Sequence, residues 1–294
     1  MKVALLVVLV VVIGSALWQH FRYLRERRDA AQDFQPLLCG PNTFHLIVHL
    51  RTEDDSDDAV LAALRKVKSE TEAELRWVYA GRVAANGEHS TQMGDIEWTA
   101  CVLLQAPSRE RADEAISGRL GAALAEFPDV HIQGFDRPVF SNLLFPQIQG
   151  LRRLSAVVRR QPPHLPFTRH EGEMAMPQAP ELASQITRGE SLNKKGAVVF
   201  NLSGLGTPEQ QASDAAYTEQ ILGSMAEGGY GPIHWGRAVR VSGQADFERV
   251  AIVYYPGVRF FGDMIQSSFF QSIVPGKQLG DNQSTITVPV LDRL

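Results

Sequence analysis

The sequence predicts an α+β protein that carries one β-α-β-β-α-β unit twice. Two observations predict it. The first is an internal repeat that aligns without a gap from Glu97 and Asp246 onward: Pro107 and Pro256 stand 149 residues apart, as do Ile116 and Ile265. Upstream, Gly81-Arg82 and Gly236-Arg237 are 155 residues apart, so the first copy has a hairpin tip six residues longer. The second is hydropathy: period-two alternation in the predicted strands gives way to helical spacing between them.

Composition narrows the function classes. At 294 residues with 44% hydrophobic and 21% charged side chains, the chain has material for one to three folded units. A net charge of −4 and a pI of about 6.1 argue against a nucleic-acid partner, which requires a basic surface to displace counterions. Two cysteines, Cys39 and Cys101, exclude a disulfide framework, and neither stands at metal-ligand spacing. No metal and no cofactor are expected.

Residues 1–35 read as an N-terminal membrane anchor helix. Val3 to Trp18 is a run of sixteen residues without charge, slightly short of the ~20 that span a bilayer. A cleaved signal peptide would use Lys2 and the small residues Gly14 and Ala16. A retained anchor would put Trp18, Phe21 and Tyr23 at the interface and Arg22, Arg25, Arg27 and Arg28 at the headgroups. The arginines favour retention, with membrane contact through residues 3–18 and a cytoplasmic body. Pro36 to Asn42 breaks this helix.

Residues 43–140 form the first unit. Phe44–Arg51 alternates, with Phe44, Leu46, Val48 and Leu50 on one face and His45, Ile47 and His49 on the other. Ser56 caps a helix running to about Leu75. Trp77–Val83 and Glu97–Gln105 are strands, Ser108 caps a helix that Pro128 ends, and Val130–Phe140 closes the unit. The order is the split βαβ arrangement of ferredoxin-like folds.

Residues 141–195 are a connector. Pro146–Arg160 places Ile148, Leu151, Leu154, Val157 and Val158 at helical spacing beside four arginines. It reads as a helix packed across both units with solvated arginines, or as a basic amphipathic helix on an anionic surface. Five prolines make the remainder extended.

Residues 196–294 form the second unit. Ala197–Ser203 is its first strand. Thr207, Pro208 and Gln210 open a helix with a capping box, and Gly228-Gly229 ends it. Strands Ile233–Val241 and Phe247–Tyr255 follow, then a helix from about Gly257 to Ile273 with a break near Gln266, then Ser284–Val290.

These residues carry a resemblance. Asn201-Leu202, Trp235-Gly236-Arg237, Tyr255-Pro256, Met264 and Phe269-Phe270-Gln271-Ser272-Ile273 resemble an uncharacterised-domain family of the dimeric α/β-barrel superfamily. The match covers 197–294 and, more weakly, 44–140, where His49 stands for Asn201, Ala80 for Trp235 and Ala106 for Tyr255. The resemblance implies two ferredoxin-like units packed as an intrachain pseudo-dimeric barrel, with helices outside and a pocket in the barrel. That superfamily includes cofactor-independent monooxygenases, isomerases and haem-handling enzymes, so the resemblance implies a fold and a pocket rather than a reaction.

Candidate ligand-binding residues are Asn201, Trp235, Arg237, Tyr254, His49 and Arg82. If the apolar face of each first strand meets the helices, His49 and Asn201 face the barrel at equivalent positions. Arg237 and Arg82 are equivalent cations. Both are candidate anion-binding groups, and Arg237 alternatively pairs with Glu248 or Asp246 across the hairpin. His49 reads as a general base or as a hydrogen-bonded sheet histidine. Tyr254 would offer a hydroxyl. Ser203–Thr207 precedes a helix N-terminus but lacks the lysine and spacing of a phosphate loop. The expected function is small-molecule binding or an accessory role through a barrel pocket. Alternatives are a cofactor-independent monooxygenase or isomerase using the second unit, and a protein-interaction scaffold. Nothing in the sequence fixes the oligomeric state.

Overall fold

The structure, a computed structural model, describes residues 2–33, 38–241 and 247–294. The helix break at Pro36 and the carboxylate of Asp246 lie outside the described residues, as do the side chains of residues 1–9.

Helix α1 (Lys2–Glu26) precedes β1 (Phe44–Arg51), α2 (Asp57–Thr71), β2 (Arg76–Glu88) and β3 (Ala100–Ala106). The expected single helix after Ser108 is divided at Gly118 into α3 (Arg109–Ser117) and α4 (Arg119–Leu124), and β4 (Asp129–Asp136) follows. The connector holds α5 (Ser141–Val158) and a second helix, α6 (Ala179–Thr187), where only extended chain was expected. The second half is β5 (Ala197–Ser203), α7 (Pro208–Gly228), β6 (Gly231–Val239), β7 (Arg249–Tyr255), α8 (Val258–Ile265), α9 (Ser268–Ile273) and β8 (Asn282–Pro289). The capping box of Thr207 and Gln210 forms, and Gly229 ends α7 at φ 70°, a left-handed conformation that glycine adopts without steric cost.

The eight strands close into one antiparallel barrel in the order β1-β3-β2-β8-β5-β7-β6-β4. Each half keeps the ferredoxin-like neighbour order: β4-β1-β3-β2 in the first, β6-β7-β5-β8 in the second. Two seams join the halves. At one, β2 pairs with β8 from Gly81–Pro289 to Glu88–Ser284. At the other, β4 and β6 share only Gly134–Val239, Phe135–Ala238 and Asp136–Arg237.

Strand alternation divides the core in two. Leu46, Val48 and Leu50 pack against Leu61, Leu64 and Val67 of α2. The opposite faces meet inside the barrel, where Ile47, Tyr79, Leu103, Phe135, Phe200 and Ile252 fill the centre. Cys101 is fully buried there, and burial pushes its thiol well up. A slip of one residue in any strand would exchange its helix-facing and barrel-facing side chains.

The N-terminal expectation is corrected. No helix among the described residues is long and apolar enough to cross a membrane, which overturns the single-pass anchor and the topology drawn from it. Of the residues assigned to the interface and headgroups, Tyr23 and Arg27 are bound to the body instead, while Arg25 and Arg28 are exposed. Tyr23 is buried and donates its hydroxyl to the Pro232 carbonyl. Arg27 is fully buried, lies 3.7 Å from the centroid of the Tyr23 ring and donates to Gln149 Oε1 at 3.1 Å. Glu26 pairs with Arg153 of α5 at 3.0 Å.

Helix α5 also reverses its expected polarity. Arg152 pairs with Glu219 at 2.6 Å, and Arg153 donates to the Ala226 carbonyl as well as to Glu26. The apolar side chains Ile148, Leu151, Leu154, Val157 and Val158 face outward.

Candidate functional site

A cavity of about 900 Å³ lies between the sheet of the second half and the helices that cover it. It sits on the helix side of the sheet, not in the barrel as the resemblance implied. Its floor follows from strand alternation: Val199, Asn201 and Ser203 of β5, Arg249, Ala251 and Val253 of β7, and Ser284 and Ile286 of β8 all point to it. Its roof is α7, through Tyr217, Ile221 and Met225, and its far wall is α8 and α9, through Phe261, Met264 and Phe270. The connector adds Met176 and Leu182.

The floor is graded by cross-strand rows. One row runs Ser203, Arg249, Arg237 across β5, β7 and β6. The next runs Ser284, Asn201, Ala251, Trp235 across β8, β5, β7 and β6. The third joins Ile286, Val199 and Val253. Polarity therefore falls from the charged row to the aliphatic one over four residues of strand, roughly 13 Å.

The structure brings together three of the six predicted residues. Asn201, Trp235 and Arg237 all line the cavity. Asn201 is half-buried and donates through Nδ2 to the Ala251 carbonyl at 3.3 Å. The Trp235 ring meets Phe145 of α5 edge-on, with centroids 6.0 Å apart. Arg237 is at the mouth, 77% exposed, and pairs with Asp136 of β4 at 3.0 Å. It holds neither Glu248 nor a buried anion. Glu248 accepts from the Leu205 backbone N–H instead.

The other three lie elsewhere. Tyr254 points into the barrel and donates its hydroxyl to the Lys195 carbonyl at 3.3 Å; burial raises its pKa. Arg82 is held at the first half by Asp57 at 3.3 Å and by the backbone carbonyls of Asp55, Val83 and Thr99. His49 is fully buried in the barrel beside Trp98, His131 and Phe200, and burial pushes its pKa down to about 3.

His49 and Asn201 are thus on opposite sides of the sheet, and their equivalence is corrected. His49 pairs with Cys101, and Leu202 pairs with Val250. Cys101 and Val250 are 149 residues apart, the repeat offset, so Leu202 is the counterpart of His49 and Val48 that of Asn201. A one-residue error in strand register places a side chain on the wrong face.

Polar groups missed from sequence stand at the charged end. Lys277 pairs with Glu88 at 2.9 Å, and Asn282 donates to the same carboxylate. Burial pushes the Glu88 carboxyl up, but Lys277 and these hydrogen bonds outweigh it and hold the pKa below the usual range. Asp214 of α7 stands 3.7 Å from Arg249. Burial raises its pKa, and Arg249 offsets only part of that. Asp214 belongs to a helix and Arg249 to a strand, and nothing in their local sequences signals the meeting. No group of three or more metal-ligating side chains occurs among the described residues.

No protein-family model matches the chain, and no curated protein matches it. Solved structures are similar to it in overall course. An anthrone oxidase-like protein is 11% identical, with a TM-score of 0.44 over 86% of this chain and 93% of that one. A proposed monooxygenase from Fusobacterium nucleatum is 8% identical, with a TM-score of 0.43 over 84% and 92%. A mutant chlorite dismutase from Candidatus Nitrospira defluvii is 10% identical, with a TM-score of 0.41 over 87% and 95%.

Proposed function

We propose that the chain binds an elongated small molecule in the cavity under α7, with the molecule's polar end at the Ser203–Arg249–Arg237 row and its apolar body over Val199, Val253 and Ile286. One observation carries this reading: a cavity of about 900 Å³ whose floor passes from charged to aliphatic within three rows. Sites for small molecules have this volume, a mostly apolar lining and a few convergent polar groups. Tyr255, Phe261, Met264 and Phe270 supply large, polarisable contact area for the body.

A second reading, a cofactor-independent oxygenase or isomerase, has Asp214 in its favour. A carboxyl in a cavity wall whose pKa burial has raised is a proton acceptor closer to neutrality than a solvated one.

Mass spectrometry of an organic extract of the purified full chain tests the binding reading. Ala251 is the small residue of the middle row, between Asn201 and Trp235, so Ala251→Phe fills the floor. The wild type should release a molecule that Ala251→Phe protein lacks. Identical extracts from both proteins would sink the assignment to this cavity.

A further inference from the structure

We infer that the molecule held in this cavity is not an anion; the inference rests on the binding reading above. Six ionisable side chains of fixed charge line the cavity, three carboxylates and three cations: Glu88, Asp214, Glu248, Arg237, Arg249 and Lys277. The lining is therefore neutral as a whole. Each of its three cations is also paired locally. Lys277 is 2.9 Å from Glu88, Arg249 is 3.7 Å from Asp214, and Arg237 is 3.0 Å from Asp136. Glu248 accepts the Leu205 N–H.

An anionic ligand would have to leave water and find no unpaired cation among the described residues of this lining. Bringing a charge into an apolar site without a partner is unfavourable. To bind a carboxylate inside the cavity, Lys277 would have to leave Glu88, whose own charge would then be stranded in a half-buried position. Arg237 offers a cation only at the exposed mouth. A neutral molecule avoids that cost. Its hydroxyl or carbonyl groups have Ser203, Asn201 and Ser284 as partners on the floor, and its body covers the aliphatic row. The ligand class is thus an amphiphile without an anionic group, with hydroxyl or carbonyl groups at one end.

Two matched dyes test this on the full chain. N-phenyl-1-naphthylamine is neutral, and 1-anilinonaphthalene-8-sulfonate is the same aromatic amine with a sulfonate. The neutral dye should bind saturably with a Kd at least about tenfold lower, and Ala251→Phe should abolish that site. Glu88→Gln removes the partner of Lys277 and frees one ammonium group at the charged end. It should lower the Kd of the sulfonate dye at least about threefold relative to that of the neutral dye. Equal or tighter binding of the sulfonate dye by the wild type overturns the inference and leaves the binding reading standing. So does a Glu88→Gln protein with an unaltered ratio of affinities. Failure of the neutral dye to bind saturably, or binding that Ala251→Phe leaves intact, overturns the binding reading and the inference together.

Discussion

A Cβ on Gly236 would lie 2.0 Å from the carbonyl oxygen of Asp136. The two residues meet at the end of the short seam where β6 of the second half meets β4 of the first, with Asp136 paired to Arg237. The counterpart, Gly81, stands at the other seam, where a Cβ would lie 2.6 Å from Thr287 Oγ1 and 2.7 Å from the Tyr79 hydroxyl. The repeated Gly-Arg pair therefore marks the lines along which the two halves join. Its glycines let the chains approach; Arg237 stays at the surface beside Asp136, and Arg82 is mostly buried beside Asp57.

Gly236→Ala should therefore weaken the whole barrel. The obstacle is backbone, which cannot swing aside like a side chain, and the β4–β6 seam has only three residue pairs to absorb the shift. A loss of about 1–3 kcal/mol is expected from urea denaturation, the range of overpacked cores. An unchanged midpoint would contradict the packing described for this seam.

Much of the fold was legible because it is written in periodicity. Alternation in Phe44–Arg51, the Thr207–Gln210 capping box and the 149-residue offset each act locally, and each led to the element observed. The closed barrel was implied by the resemblance rather than by periodicity, and its closure leaves no free sheet edge. What failed depended on one-residue register or on distant partners. Asn201 was placed one residue out of phase, because Ala197–Ser203 is apolar on both faces and its pattern does not say which face meets the helices. Arg27 and Arg153 read as solvated from their neighbours in sequence, yet their partners Gln149 and Glu26 lie more than a hundred residues away.

Arg237→Ala should have little effect on stability. The side chain is 77% exposed and its pair with Asp136 is in water, where such pairs contribute about 0–1 kcal/mol. Thermal melts of the two proteins should agree within a few degrees. A large drop would mean that the pair is shielded in solution.

Acid should destabilise the protein before its carboxylates protonate. Burial holds His45 and His49 down to about 3, with Arg137 and Arg76 adding for His45 and His131 for His49. Unfolded, each would titrate near ~6.5. The folded pKa is depressed, so the unfolded state binds more protons. Each histidine's contribution is complete above pH ~6.5 and is lost as pH falls toward 3. The slope is on the order of 1 kcal/mol per pH unit for each histidine. Urea midpoints should fall steadily between pH ~6.5 and ~4.5, above the range where the paired carboxylates titrate. A flat profile there would refute buried neutral histidines.

The last prediction separates the two residues that sequence reasoning had made equivalent. Asn201 is half-buried on the cavity floor and donates to the Ala251 carbonyl of the neighbouring strand at 3.3 Å. His49 is fully buried, packed against Trp98, His131 and Phe200, with neither ring nitrogen hydrogen-bonded. Asn201→Ala deletes a polar group that faces the cavity and leaves the barrel untouched. Stability should change by less than about 1 kcal/mol, while the Kd of N-phenyl-1-naphthylamine should shift at least about threefold, roughly 0.6 kcal/mol. His49→Ala opens a void among aromatic rings on the far side of the sheet. It should cost about 2–4 kcal/mol, as large-to-small core changes do, reduced by whatever an unsatisfied imidazole already costs the wild type. Dye affinity of the folded protein should not move. Urea titrations and dye titrations on both variants read the two effects independently. If His49→Ala shifts the dye and Asn201→Ala does not, the ligand lies inside the barrel and the cavity under α7 is a packing space.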